Sequence, residues 1–359
     1  MGHQLDTAVK TVPETITTDP VLTTKNLTIG YMSARHIPHA VAHNISVTLH
    51  RGEFVCLLGP NGAGKSTLLR TLVGMQRPLS GHVYLSGNNI TSLSVQQRAR
   101  LLSVVLTERV QIGILSARDL IALGRYPYTD WTGRLTQQDE AAIDWAIQSA
   151  GAQHLAHRNV AQLSDGERQK IMIARALAQQ PELMVLDEPT AFLDLPRRVE
   201  IMALLQTLAH TTNKTMLLST HDLDLALRCA DRIWLLPQGG PLQAGAPEDL
   251  ILNGAFEAAF QSKDVQFDAH TGAFKIHKPQ GKTIGLSGQG NIAHWTTHAL
   301  ERIGFKVHTA SLSDTQITII NQNGSPTWQI TCNGTVEKHH TILDTITALK
   351  RLQQTVSHP

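Results

Sequence analysis

Cysteine is scarce in this chain, with three among 359 residues, at positions 56, 229 and 332. An odd number at wide spacing excludes a disulfide framework, supplies no cysteine metal site and fits a reducing compartment. Cys56 lies inside an apolar run and reads as a small core residue. Long hydrophobic runs are also missing. No stretch of about 18 apolar residues occurs, so no transmembrane helix is expected. The N-terminus lacks the basic-then-apolar pattern of a secretory signal. Its Met1-Gly2 start fails the myristoylation pattern at Asp6. Charge of either sign is not in excess. The net charge of +2 is too small to argue for a nucleic-acid partner or an anionic membrane surface. Histidine is plentiful, but His36, His39, His43 and His50 do not follow the spacing of a helical or zinc-type ligand set. With 42% apolar and 17% charged residues, the chain can build a core and is not expected to be disordered.

What is present centres on one stretch. Gly59, Pro60, Asn61, Gly62, Ala63, Gly64, Lys65, Ser66 and Thr67 fit the phosphate-loop template G-x-x-x-x-G-K-[ST]. The apolar run Phe54 to Leu58 precedes it, as a buried strand would. Apolar residues at helical spacing follow it from Ser66 to Leu72. Strand, glycine-rich loop and helix is the context the template requires. Its glycines let backbone N–H groups wrap an anion, and the helix N-terminus adds partial positive charge. Lys65 would neutralise the β- and γ-phosphates of a nucleotide, and Ser66 would ligate Mg²⁺.

Residues 1–20, rich in Thr, Pro and Asp, read as a loose tail. Val21 to Ile29 and Ala40 to Leu49 read as strands, and Val83 to Leu85 as a further one. Residues of about 95–165 carry mostly helical periodicity and read as an inserted helical subdomain. Ser164 and Glu167 then form S-x-x-E, a capping box that opens a helix through Gln179. The apolar strand Leu183 to Leu186 ends in Asp187 and Glu188. Carboxylates there sit at the strand end where open α/β sheets hold ligands. Asp187 would hold Mg²⁺ through water, and Glu188 would polarise an attacking water. A third apolar strand from Met216 ends at Thr220-His221, which places His221 where a γ-phosphate contact is expected. Ile233 to Leu236 and Leu242 to Ala244 read as a hairpin, and Pro247 to Phe260 as one helix.

The order of these motifs resembles the ATP-binding cassette (ABC) family over residues 21–255. The fold class it implies is α/β, a P-loop nucleotide-binding domain with an inserted helical subdomain. In this resemblance Tyr31 is the aromatic that stacks on adenine. Gly59 to Thr67 is the Walker A loop, and Leu163 to Glu167 the signature motif. Asp187 and Glu188 end the Walker B strand, Leu193-Asp194 is the D-loop, and His221 is the switch histidine. The signature, usually L-S-G-G-Q, reads Leu163-Ser164-Asp165-Gly166-Glu167 here. The glutamine that opens the helical subdomain is replaced by Glu108, a carboxylate able to meet Mg²⁺. The resemblance implies ATP and Mg²⁺ as cofactors and a head-to-tail homodimer. Ser164 and Gly166 of one copy would cover the ATP at Lys65 of the other.

Within the family, Leu123 to Tyr128 and Ser164 to Gln169 resemble ATPases of iron-siderophore, haem and cobalamin importers. The expectation is an ATPase at the cytoplasmic face of a bacterial inner membrane. It would work with separate transmembrane permease subunits and a substrate-binding protein on the far side. Its coupling surface would lie around Glu108 to Tyr128. A soluble ABC-type ATPase without a permease is the alternative. The long coiled coils of DNA-repair and chromosome ABC proteins do not fit the roughly 120 residues between Lys65 and Asp187. Residues 256–359 read as a small α+β extension of unassigned role: a hairpin, then strands and helices ending with Thr341 to Gln354. Leu286 to Gly290 echoes a signature but reads as a strand-to-helix turn, since no phosphate loop accompanies it.

Overall fold

The computed structural model describes residues 20–32, 37–107, 114–260, 265–269, 272–276, 281–309, 313–322 and 325–355. The chain divides into two compact units, Met1–Ser262 with Gln266–Lys275 and Lys263–Val265 with Ile276–Pro359.

The first unit begins with strands β1 (Pro20–Met32), β2 (Pro38–Ile45) and β3 (Thr48–His50), then β4 (Phe54–Leu58) and helix α1 (Lys65–Leu72). Strands β5 (Ser80–Leu85) and β6 (Asn88–Asn89), helix α2 (Val95–Leu101) and strand β7 (Leu102–Val105) follow. Helices α3 (Ala117–Ala122), α4 (Gln137–Ser149) and α5 (Asp165–Ala178) lead to strand β8 (Leu183–Asp187). Then come α6 (Leu195–Thr212), β9 (Thr215–Ser219), α7 (Leu223–Cys229), β10 (Arg232–Leu235), β11 (Gln243–Gly245), α8 (Pro247–Leu252) and α9 (Ala255–Phe260). A hairpin of β12 (Val265–Asp268) and β13 (Ala273–Ile276) closes the series.

The main sheet runs β11-β10-β4-β9-β8-β7, and every strand in it except β11 is parallel to its neighbours. Strand β4 is buried at every position, as a central parallel strand must be. The period of two sends its side chains into two separate cores. Phe54, Cys56 and Leu58 enter the core shared with the helical segment, while Val55 and Leu57 enter the core under α1. Met184 and Leu186 of β8 divide from Leu183 and Val185 in the same way. A second, antiparallel sheet, β2-β1-β5-β6 with β3 on β1, closes over α1.

Three readings of the sequence change here. The expected Ala40–Leu49 strand is two strands, because the Thr24 hydroxyl bridges the break. It donates to the Ile45 carbonyl (3.0 Å) and accepts from the Val47 amide (2.9 Å). Leu102–Val105, assigned to the helical segment, is a strand of the main sheet paired with β8. The expected Pro247–Phe260 helix breaks at Gly254, whose φ of +78° leaves the helical region. The residues just beyond 255 also belong with the first unit. Phe256 is fully buried there, and the ring of Phe267 lies 5.5 Å away.

The second unit contains β14 (Thr283–Ser287), α10 (Gly290–Arg302), β15 (Lys306–Thr309), β16 (Thr315–Gln322), β17 (Ser325–Cys332), β18 (Thr335–His339) and α11 (Ile342–Thr355). Its sheet order is β15-β14-β16-β17-β18. Leu300 of α10 and Ile346 and Leu349 of α11 pack on Ile284, Ile317, Trp328 and Ile330 of the sheet. The Trp328 indole donates to the Thr296 hydroxyl at 2.8 Å. Leu286–Gly290 is a strand-to-helix turn, as read from the sequence. Strand β18 was not expected, although Asn333 and Gly334 (φ 48° and 79°) carry the turn signal of a hairpin.

Candidate active site

The loop between β4 and α1 holds its shape through glycine. A Cβ at Gly59 would meet the Leu236 carbonyl oxygen, and one at Gly64 would meet the Val41 side chain. Gly62 and Gly64 have φ of 80° and 101°, a region that L side chains rarely adopt. Gly64 is also the cap of α1 and offers no side-chain acceptor, so the first-turn amides keep their capacity for an anion. Lys65 is 7% exposed, and its ammonium donates to the carbonyls of Gly59 (2.8 Å) and Pro60 (3.2 Å). Burial lowers the Lys65 pKa, while the nearby carboxylates of Glu188 and Asp187 act against that shift.

Strands β4, β8 and β9 bring their carboxyl ends together at this loop. The Ser219 hydroxyl donates to Asp187 Oδ1 (2.6 Å) and accepts the Glu188 amide (3.0 Å). The Thr107 hydroxyl donates to the Asp187 carbonyl (2.6 Å). Glu188 has φ +50°, a strained setting that Ser219 helps to hold, and its carboxylate meets His221 Nε2 at 2.5 Å.

A cleft of about 570 Å³ gathers Asn61, Gly62, Gly64, Lys65, Ser66, Thr67, Glu188, His221 and Tyr31 from the expected residues. Gly59, Pro60, Ala63 and Asp187 are in the same loop and strand end but do not line it. Ser164 and Gly166 are not in this cleft either; they sit at the start of α5. Glu108 lies outside the described residues. His39, Val41, Gln238 and Gly239 also line the cleft; among them only His39 stands out in the sequence, as part of a histidine cluster that does not fit a metal site. His39 is the cross-strand partner of Tyr31, and the two rings stack 4.8 Å apart at 8°. That pairing depends on the register of β1 and β2, and no motif announces it.

The capping box at Ser164 is formed on both sides. Glu167 accepts the Ser164 amide (2.8 Å), and Ser164 Oγ accepts the Glu167 amide (3.3 Å). Arg158 donates to Glu167 at 2.7 Å. Those hydrogen bonds from the Ser164 amide and hydroxyl, and then Arg158, hold the Glu167 carboxyl below its usual range. The acid at position 167 is therefore committed to its own helix start.

Ser66 and Asp187 offer hard oxygen donors of the kind that suit Mg²⁺, and Ser219 orients Asp187. Among the described residues there is no cluster of three or more His, Cys, Asp or Glu able to form a separate metal centre. No helix among them is long and apolar enough to cross a membrane.

A strand-loop-helix anion cradle faced by paired strand-end acids and a histidine defines a P-loop nucleotide hydrolase. Comparison with known proteins narrows the class. Residues 42–191 match the ABC transporter family, and residues 281–350 match the iron ABC transporter C-terminal domain. An uncharacterized ABC transporter ATP-binding protein of Methanocaldococcus jannaschii, MJ0873, is 41% identical over 256 residues, 71% of this chain and 87% of that protein. The ferric enterobactin transport ATP-binding protein FepC of Escherichia coli is 34% identical over 259 residues, 72% of this chain and 94% of that protein. The dimeric post-hydrolysis structure of the ATP-binding cassette MJ0796, bound to ADP and Pi, matches with a TM-score of 0.54 and 27% identity. It covers 63% of this chain and 98% of that one. The chain belongs to the ATP-binding proteins of the ABC transporter family. It is an ABC-type ATPase whose α/β nucleotide domain carries a second, α+β unit.

Proposed function

We propose that this chain is the ATP-hydrolysing subunit of an importer for an iron chelate, a ferric siderophore first of all. The observation that carries the iron assignment is the match of residues 281–350 to the iron ABC transporter C-terminal domain. The likeness to a ferric enterobactin transport protein supports it. The chain works at the cytoplasmic face of the membrane against separate permease subunits, with a binding protein delivering the chelate on the far side. The exposed aromatic surface of the helical segment, with Tyr126 79% and Trp131 96% exposed, suits a permease contact.

In this reading Tyr31 stacks on adenine, and Asn61 to Thr67 wrap the phosphates with backbone amides. Lys65 leaves its loop carbonyls for the β- and γ-phosphates. Ser66 and Asp187, with Glu108, would hold Mg²⁺, which when bound would supply positive charge against the phosphates. Glu188 orients and polarises the attacking water. His221, already bonded to Glu188, positions it and meets the γ-phosphate. Two copies close head to tail, so that Ser164 and Gly166 of each complete the site of the other. Closure follows from tighter binding of ATP to the closed pair, and hydrolysis releases it.

The test is affinity capture of the tagged chain from detergent-solubilised membranes of its native host, read by mass spectrometry. A stoichiometric polytopic permease is expected, and uptake of labelled ferric siderophore should depend on the chain. Uptake of haem or cobalamin instead would change the substrate. A soluble partner alone would replace the importer with a soluble ABC ATPase.

A further inference from the structure

The short 3-10 segment Leu123–Tyr128 has two working sides. One side is pressed against the C-terminal end of α5. A Cβ at Gly124 would strike the Arg175 carbonyl oxygen, so only glycine allows the approach. The Tyr128 hydroxyl donates to the Gln179 carbonyl at 3.0 Å. Arg125, 4% exposed, donates from Nε to Asp139 Oδ1 (2.8 Å) and from Nη1 to the Ala178 carbonyl (2.7 Å) and Gln180 Oε1 (3.0 Å). Its guanidinium lies 3.9 Å from the centre of the Tyr128 ring. The other side of the segment is open. Tyr126 and Pro127 line a groove of about 370 Å³ with Val95, Gln96, Ala99 and Trp131. Gln96 and Arg100 both donate to the Pro127 carbonyl, at 3.1 and 3.2 Å.

A buried ion pair is a poor source of stability, since apolar side chains of like volume often do as well. What this one adds is geometry. One planar fork joins the groove segment, the first turn of α4 through Asp139, and the last carbonyl of α5. The positive charge also suits the C-terminal end of a helix. Helix α5 has 14 residues and begins at the Ser164 cap. At 1.5 Å per residue it is a strut of roughly 21 Å. Moving its Ala178 end therefore moves its Ser164 end.

Resting on the importer reading, we propose that Arg125 is a positioning residue that locks the Tyr126–Pro127 groove to α5. A permease segment seated in the groove then shifts Ser164 and Gly166 at the far end of the helix, with no contact to either. Arg125 touches no nucleotide; its role is to make the groove and the signature end move as one body.

The experiment compares the captured transporter carrying the unaltered chain with one carrying Arg125→Met plus Asp139→Asn. That double change removes both charges together and keeps an acceptor for the α4 cap. ATP affinity, permease capture and ATP turnover of the chain alone should remain unchanged, with at most a small fall in melting temperature. The stimulation of turnover by the permease should fall about tenfold, a usual size for coupling between sites. Arg125→Lys should keep a melting temperature near that of the unaltered chain yet leave stimulation low, because a point charge cannot serve Asp139, Ala178 and Gln180 as a fork does. A folded, permease-bound double variant stimulated to the unaltered extent overturns the proposal. If the double variant misfolds, Arg125→Lys decides: full stimulation overturns the proposal, and low stimulation at normal melting temperature supports it. If the unaltered chain captures no permease, the importer reading fails and this inference falls with it.

Discussion

His221 Nε2 lies 2.5 Å from Glu188 Oε1, across the ends of the adjacent parallel strands β8 and β9. Ser219, the last residue of β9, accepts the Glu188 amide and holds Asp187, so the acids and the histidine share one support. Glu188 is held in a left-handed backbone setting, which is costly without such support.

Glu188→Gln keeps the shape and the hydrogen bond to His221 but loses the base. Hydrolysis should fall by about 10²- to 10⁴-fold, the usual contribution of a positioned general base. ATP affinity should stay, and an ATP-bound dimer should accumulate on size-exclusion chromatography. Unchanged turnover would remove Glu188 from that role.

Lys65→Ala removes a buried lysine from the phosphate loop, along with its bonds to Gly59 and Pro60. ATP affinity by calorimetry should fall about ten- to a hundredfold, the equivalent of one charge-assisted hydrogen bond. Normal affinity would sink the phosphate-loop assignment.

Glu167 tests whether the acid at the signature is a capping device. Glu167→Gln can remake the capping box and should change stability by less than about 0.5 kcal/mol. Glu167→Ala should cost about 1 kcal/mol in chemical denaturation. Equal effects of the two changes would assign Glu167 another role.

Stability should weaken in acid partly through Asp139. Its burial acts to raise the pKa, but hydrogen bonds from the Thr136 hydroxyl and amide, and from Arg125, hold it below the ordinary value. A depressed carboxyl stabilises the fold above its unfolded pKa of about 3.9, and that contribution is lost as pH falls through the folded value. Stability read from denaturation midpoints should therefore fall as pH drops below about pH 4, and Asp139→Asn should flatten that acid limb. An acid limb unaffected by Asp139→Asn would show that other carboxylates carry it.

Much of the first unit was legible in sequence because its signals are contiguous. Phe54 to Thr67 states strand, loop and helix in order, and Ser164 with Glu167 states a helix start. Both are found as read. Leu102–Val105 was not legible. Leu102-Ser103-Val104-Val105 after a helix is too short to show a strand period, and only pairing with β8 makes it a strand. The single-strand reading of Ala40 to Leu49 failed because the break is held by Thr24, a residue of another strand. Likewise His39 enters the cleft only because β2 lies beside Tyr31.

The sequence by itself determined the anion cradle, the strand-end acids, the capped helix that begins after Ser164 and the apolar pattern of the sheet. These rest on local backbone preference and on periodicity within one segment. The tertiary structure alone decided that Glu188 meets His221, that Ser219 braces Asp187, and that Arg125 ties the outer groove to the end of α5. Such meetings depend on strand order and helix packing. Those are settled by burial between segments distant in the chain, and neighbouring residues carry no record of it.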